Sequence, residues 1–198
     1  MSVFNLKYQN TSLDNKIVAG LERLSLVFKV LLWEKAKQYG LSPMQIQLLI
    51  FIQHHTSDKS TVSYLAQEFN VTKPTISDAV KVLEQKKIIK KKADTGDTRS
   101  YTIQLTTAGK NIVLDTEHFV NPVTEVIAGI SQPEKIVLWQ NIIRLINQLH
   151  QTGTIAVQRT CHYCKHFSSK NKAPYCKLLE QKLLLQDIRI DCAEFEMV

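Results

Sequence analysis

The chain has 198 residues and a mass of 22.6 kDa, enough for one core of ordinary size with a small appendage. Hydrophobic residues make up 44% and charged residues 22%, which excludes a wholly disordered chain. The net charge of +7 suits a polyanion such as nucleic acid or a membrane surface and does not choose between them. No stretch nears the roughly 18 uninterrupted apolar residues that a spanning helix needs. Residues 1–15 are polar, without a basic-then-apolar leader, so a cytoplasmic protein is expected.

In residues 13–39, Ile17, Leu21, Leu24, Phe28 and Leu31 recur at helical spacing and predict a long helix with one buried face. Gly40 supplies the left-handed residue that ends it. Ser42, Pro43 and Gln45 then form a helix start with a capping box, followed by Ile46, Leu49 and Ile50 on the apolar side. A short helix is expected over 62–69, with Leu65, Ala66 and Phe69 on one side. After a break at 70–72, Thr72 caps a longer helix running to about residue 86. Pro74 fits its first turn, and Ile76, Val80 and Leu83 face inward.

Two strands follow, 90–93 and 100–105. In the second, Tyr101, Ile103 and Leu105 alternate with Thr102 and Gln104, the period of a half-buried strand. The sequence Asp94-Thr95-Gly96-Asp97-Thr98 between them is turn chemistry. A hairpin after a helix pair is the winged helix-turn-helix arrangement. Thr106 caps a helix expected to reach about residue 130, with Pro122 as a kink or break. Ser131, Pro133 and Glu134 start a last helix, which carries Leu138, Ile142, Leu145 and Leu149 inward and ends near Gly153. The fold class is therefore mainly α with a small β-hairpin wing. A domain is expected over 1–150, with the helix-turn-helix at 61–87 and the wing at 88–105, and a separate tail over 151–198.

With Ile76 facing the core, Pro74, Asp78, Lys81 and Gln85 point outward, flanked by Thr75 and Ser77. Short hydrogen-bonding groups near a helix N-terminus suit base edges and phosphates. Residues 73–92 hold Lys73, Lys81, Lys86, Lys87, Lys90, Lys91 and Lys92 against only Asp78 and Glu84. Such a block releases counterions from a phosphate backbone, the main source of non-specific DNA affinity. The plainer reading, a solvated lysine face, explains solubility but not the placement beside the reading helix.

These residues bring the chain close to a known family. Leu65-Ala66-x-x-Phe69-x-Val71, then Pro74-Thr75-Ile76-Ser77, Val80 and Leu83, then Asp97-Thr98-Arg99 and Leu105-Thr106-x-x-Gly109 resemble the MarR family, over about residues 13–150. The resemblance implies a homodimeric winged-helix regulator whose first and last helices interlock. It implies a recognition helix in the major groove and a wing arginine, matched by Arg99, in the minor groove, where a guanidinium is favoured by the negative potential. Asp97 matches the acidic residue that orients the wing. The DNA-binding residues expected are Lys73, Pro74, Thr75, Ser77, Asp78, Lys81 and Arg99. A repressor acting on an imperfectly palindromic operator follows, as does a small-molecule effector between dimer helices and winged domain.

Four cysteines fall in the tail: Cys161, Cys164, Cys176 and Cys192. In a reducing compartment this cluster reads as metal ligands rather than disulfides. A two-residue gap lets Cys161 and Cys164 reach one ion, and four thiolates complete a closed tetrahedral zinc site. An iron–sulfur cluster also takes four cysteines, though the spacing matches neither ferredoxin pattern. Unoccupied or redox-active thiols are the third possibility. Leu178, Leu179, Leu183 and Leu184 suggest a short helix over the site. His162 and His166 sit close enough to replace a thiolate, or read as surface or supporting groups. The alternative function is a redox- or metal-sensing protein centred on these cysteines. It leaves the helix pair, wing and lysine block unexplained. No phosphate loop, nucleophile elbow or His-x-Glu pattern points to an enzyme.

Overall fold

A computed structural model of the chain describes residues 2–93, 101–157, 159–169 and 173–197. The chain divides into two compact units, Met1–Asp58 with Asp78–Thr124, and Lys59–Ser77 with Glu125–Val198.

In the first unit, a short α1 (Leu6–Gln9) precedes α2 (Leu13–Gln38) and α3 (Pro43–His54). Ser12 caps α2 by accepting the Asn15 N–H, and Gly40 turns the chain at φ 57° after it. The expected capping box opens α3: Ser42 Oγ accepts the Gln45 N–H at 3.2 Å and Gln45 Oε1 accepts the Ser42 N–H at 2.9 Å. Pro43 occupies the first turn, where its missing N–H costs nothing. Helix α3 packs against α2, the second wing strand and α6 (Thr107–Thr116). Ile46, Leu48, Leu49, Ile103 and Val113 are fully buried in this unit.

Strands β1 (Ile89–Ala93) and β2 (Tyr101–Leu105) pair antiparallel, with Ile89 opposite Leu105 and Ala93 opposite Tyr101. Ile103 is the buried residue of β2, as its alternation requires. Thr106 fixes the root of the hairpin. Its Oγ1 donates to the Ile88 carbonyl at 2.9 Å and accepts the Gly109 N–H at 3.2 Å. A Cβ on Gly109 would stand 2.3 Å from the Ile88 carbonyl oxygen, so this close approach requires glycine. The helix expected to reach about residue 130 is broken, the second of the two outcomes expected of Pro122. A 3-10 turn, Glu117–Val120, separates α6 from α7 (Asn121–Ala128), and Pro122 sits in the first turn of α7 rather than kinking one long helix.

The second unit holds α4 (Val62–Glu68), α8 (Gln132–Gln151) and the tail. The tail has a small antiparallel sheet, β3 (Phe167–Ser168), β4 (Tyr175–Cys176) and β5 (Gln181–Lys182). Its apolar cluster joins Leu183 and Ile188 to Ile143 of α8, with Trp139, Phe167, Cys161 and Cys176 packed around them.

Three packing expectations are corrected. Ile17, Leu21, Leu24 and Phe28 are exposed within the single chain, and α2 buries only Leu32 and Ala36. Leu138, Leu145 and Leu149 are likewise exposed; the buried residue of α8 is Ile143, because that side meets the tail. No helix forms over 178–184. Glu180 takes φ 52°, a conformation that breaks a right-handed helix, and Leu183 alone of the four leucines is buried.

Candidate functional site

The helix-turn-helix signals resolve into capped elements. Thr61 Oγ1 accepts the Tyr64 N–H at 3.2 Å and starts α4. Asn70 then takes φ 52°, a left-handed position that asparagine tolerates. The Val71 N–H closes the turn on the Ala66 carbonyl at 2.9 Å. Thr72 Oγ1 accepts the Thr75 N–H at 3.3 Å and starts α5 (Lys73–Gln85). A Schellman arrangement ends α5. Lys87 takes φ 56°, and the Ile88 N–H reaches the Leu83 carbonyl at 3.0 Å. This delivers the chain into β1.

Helix α5 buries Ile76, Val80 and Leu83 and exposes Lys73, Pro74, Thr75, Ser77, Asp78, Lys81 and Gln85. Every expected contact residue on this helix therefore lies on its solvent side. Arg99 and Asp97 fall in 94–100, outside the described residues. The lysine block is not uniform. Lys91 donates to Glu84 at 2.7 Å and lies 4.9 Å from the centre of the Tyr101 ring; the Glu84 hydrogen bond holds its ammonium above the ordinary lysine range. Lys86 donates to the Gly40 carbonyl at 2.8 Å. Lys73, Lys81, Lys90 and Lys92 extend from exposed positions.

The four cysteines line one cavity of about 300 Å³, together with Phe167, Leu183, Ile188 and Arg189. All four are free thiols. The Arg189 N–H approaches Cys161 Sγ at 3.4 Å, and Arg189 Nη1 approaches Cys192 Sγ at 3.6 Å. Burial pushes the Cys161 thiol up, the Arg189 N–H opposes this, and the other three cysteines add to the rise. Among the described residues, no three His, Cys, Asp or Glu side chains already stand as a metal-ligand shell. His166 also lines this cavity and pairs through Nε2 with Glu196 Oε1 at 3.1 Å, whereas His162 lies outside it, with Nδ1 3.3 Å from Asn147 Nδ2.

A buried cation between tail and α4 had no signal in the sequence. Arg159 is 6% exposed. It donates in bidentate fashion to Asp191 and to Glu68, and Nη1 also donates to Tyr64 Oη at 3.0 Å. The Asp191 hydrogen bonds, foremost, hold it firmly protonated. Glu68 lies 91 residues earlier in the chain, so no local pattern could have paired them.

No helix among the described residues is long and apolar enough to cross a membrane. Comparison with curated proteins returns no match. Among solved structures, a complex of S. aureus MepR with DNA shares 26% identity, with a TM-score of 0.59 over 67% of this chain and 97% of that one. MepR, described as a transcription regulator of the Staphylococcus aureus multidrug efflux pump MepA, also matches alone at 25% identity, with a TM-score of 0.51 over 65% and 95%. A Streptococcus pneumoniae FabT–DNA complex shares the fold at 24% identity, with a TM-score of 0.57 over 69% and 99%. Residues 39–100 match the model of the MarR family. The chain thus has the winged-helix fold of these regulators, and its segment 39–100 is similar to the MarR family.

Proposed function

We propose that this chain is a sequence-specific DNA-binding transcriptional regulator of the MarR type, a repressor that grips a pseudo-palindromic operator as a homodimer. The observation that carries the reading is the sidedness of α5. One face is locked into the fold by Ile76, Val80 and Leu83, while Lys73, Pro74, Thr75, Ser77, Asp78 and Lys81 all face solvent. Such a helix offers base-reading groups and phosphate-binding charge from one rigid platform. The likeness to MepR, solved on DNA, points the same way.

The dimer is supported by unsatisfied apolar surface. Leu13, Ile17, Leu21, Leu24 and Phe28 share one face of α2 and are all exposed, an apolar stripe of the kind that marks an interaction surface. A two-fold pair places its reading helices about one DNA turn apart, ~34–36 Å.

Selection of bound fragments from random genomic DNA tests the reading. An enriched imperfect palindrome with that half-site spacing is expected. Arg99→Ala should weaken binding to the selected site by about 1–3 kcal/mol. A folded protein that retains no duplex even in dilute buffer would overturn the proposal.

A further inference from the structure

The DNA-binding reading leaves the tail cysteines unused. We propose that Cys161, Cys164, Cys176 and Cys192 are the ligands of a single zinc ion, and that its binding fixes the tail against α4 through Arg159. Four thiols from three stretches of the tail line the same cavity, the donor set of a closed, structural zinc site. Cys161 and Cys164 flank a 3-10 turn, Cys161–Tyr163, closed by the Cys164 N–H on the Cys161 carbonyl at 3.1 Å. Cys176 stands in β4 and Cys192 follows Asp191.

Charge arrangement supports a thiolate site. Zinc displaces four thiol protons, so the Zn(S-Cys)4 centre carries a net charge of about −2. Arg189 brings a backbone N–H to Cys161 and a guanidinium N–H to Cys192. Such outer donors are what a charged thiolate centre needs. Among the described residues the sulfurs are not gathered into a ligand shell, so binding requires their side chains to converge on the ion. They line one cavity of about 300 Å³, within which the proposal requires each sulfur to reach the ~2.3 Å bond length of zinc. The tail otherwise rests on two-residue strands and a cluster of Ile143, Leu183 and Ile188, a slight core for its length.

The link to α4 follows from connectivity. Arg159 lies two residues before Cys161, and Asp191 immediately precedes Cys192. The two segments meet in an isolated β-bridge at Arg159 and Asp191, and the Cys161 N–H reaches the Arg189 carbonyl at 3.3 Å. Holding Cys161 and Cys192 on one ion therefore sets the Arg159–Asp191 pair in place. The remaining guanidinium edge then meets Glu68 and Tyr64 of α4. This inference does not depend on DNA binding, and its test involves no DNA.

The test uses the full-length chain, reduced and purified anaerobically, with Trp33→Phe leaving Trp139 as the only tryptophan. Trp139 packs against the same Ile143, Leu183 and Ile188 cluster as Cys161 and Cys176. Titration with zinc chloride should shift Trp139 emission to saturation at one zinc per chain, confirmed by elemental analysis. Hydrogen exchange over 62–68 should slow with zinc. Cys176→Ser should abolish stoichiometric binding. Arg189→Ala keeps all four ligands, guards against a mere folding failure, and should weaken zinc binding about 10–100-fold. Arg159→Lys should retain zinc but lose the slowing at 62–68, because an ammonium cannot reproduce the planar fork. A folded chain with four reactive thiols in saturating zinc overturns the site. Iron and sulfide in a brown protein overturn the choice of zinc. Zinc binding with unchanged exchange over 62–68 overturns the link.

Discussion

Helices α2 and α3 are neighbours with opposite fates. Helix α3 buries Gln45, Ile46, Leu48, Leu49, Phe51 and Ile52 in 12 residues, because α2, α6 and β2 all pack on it. Helix α2 buries only Leu32 and Ala36 in 26 residues. The stripe from Leu13 to Phe28 faces solvent. Helical periodicity says that a face needs cover, and it is silent on whether the same chain supplies it. A stripe left bare by its own fold is the mark of a partner.

That contrast predicts unequal costs for similar mutations. The largest effect should come from α3. Leu49→Ala removes a fully buried side chain and should cost about 2–5 kcal/mol of folding stability, read as a lower denaturation midpoint in the diluted chain. The paired substitution Leu24→Glu with Phe28→Glu places charge on the bare stripe of α2. It should leave the helical spectrum of the dilute chain nearly unchanged, while sedimentation shifts from dimer to monomer. A wild-type chain that sediments as a monomer at tens of micromolar would end the dimer reading. A double variant that still associates would move the interface off the α2 stripe.

The same distinction explains what was legible beforehand. Caps and turns are local chemistry, so Ser42 with Gln45, Thr72, and Thr106 with Gly109 mark their elements directly. The wing was readable because Ile103 sits between polar neighbours at period two. The apolar faces of α2 and α8 were expected both to be buried and to exceed what the winged domain covers by itself, and in the single chain most of each stays open. On α8 the tail covers Ile143 instead of Leu138 and Leu145. The tail itself has no period to read. Leu178, Leu179, Leu183 and Leu184 mimic a helix, yet the left-handed Glu180 and the pairing of β4 with β5 decide otherwise. Of the candidate site, the exposed face of α5 was readable from Ile76 outward, whereas the Arg159 clamp depends on tertiary placement alone.

The smallest expected effect applies the contrast to single lysines. Lys91 is engaged within its own fold by Glu84 and the Tyr101 ring, whereas Lys81 projects from the exposed face of α5. An exposed ion pair contributes little to stability, so neither Lys91→Ala nor Lys81→Ala should move the denaturation midpoint appreciably. Their effects should part on DNA. Each phosphate contact contributes about 0.9 to the slope of log affinity against log salt. Lys81→Ala should therefore make that slope shallower by about one unit, equally for specific and random duplexes. Lys91→Ala should leave it unchanged, because its charge is already met by a carboxylate of its own chain. Equal slopes for the two variants would mean that local pairing does not decide which lysines meet phosphate. A loss confined to Lys91→Ala would move the phosphate track from α5 to the wing.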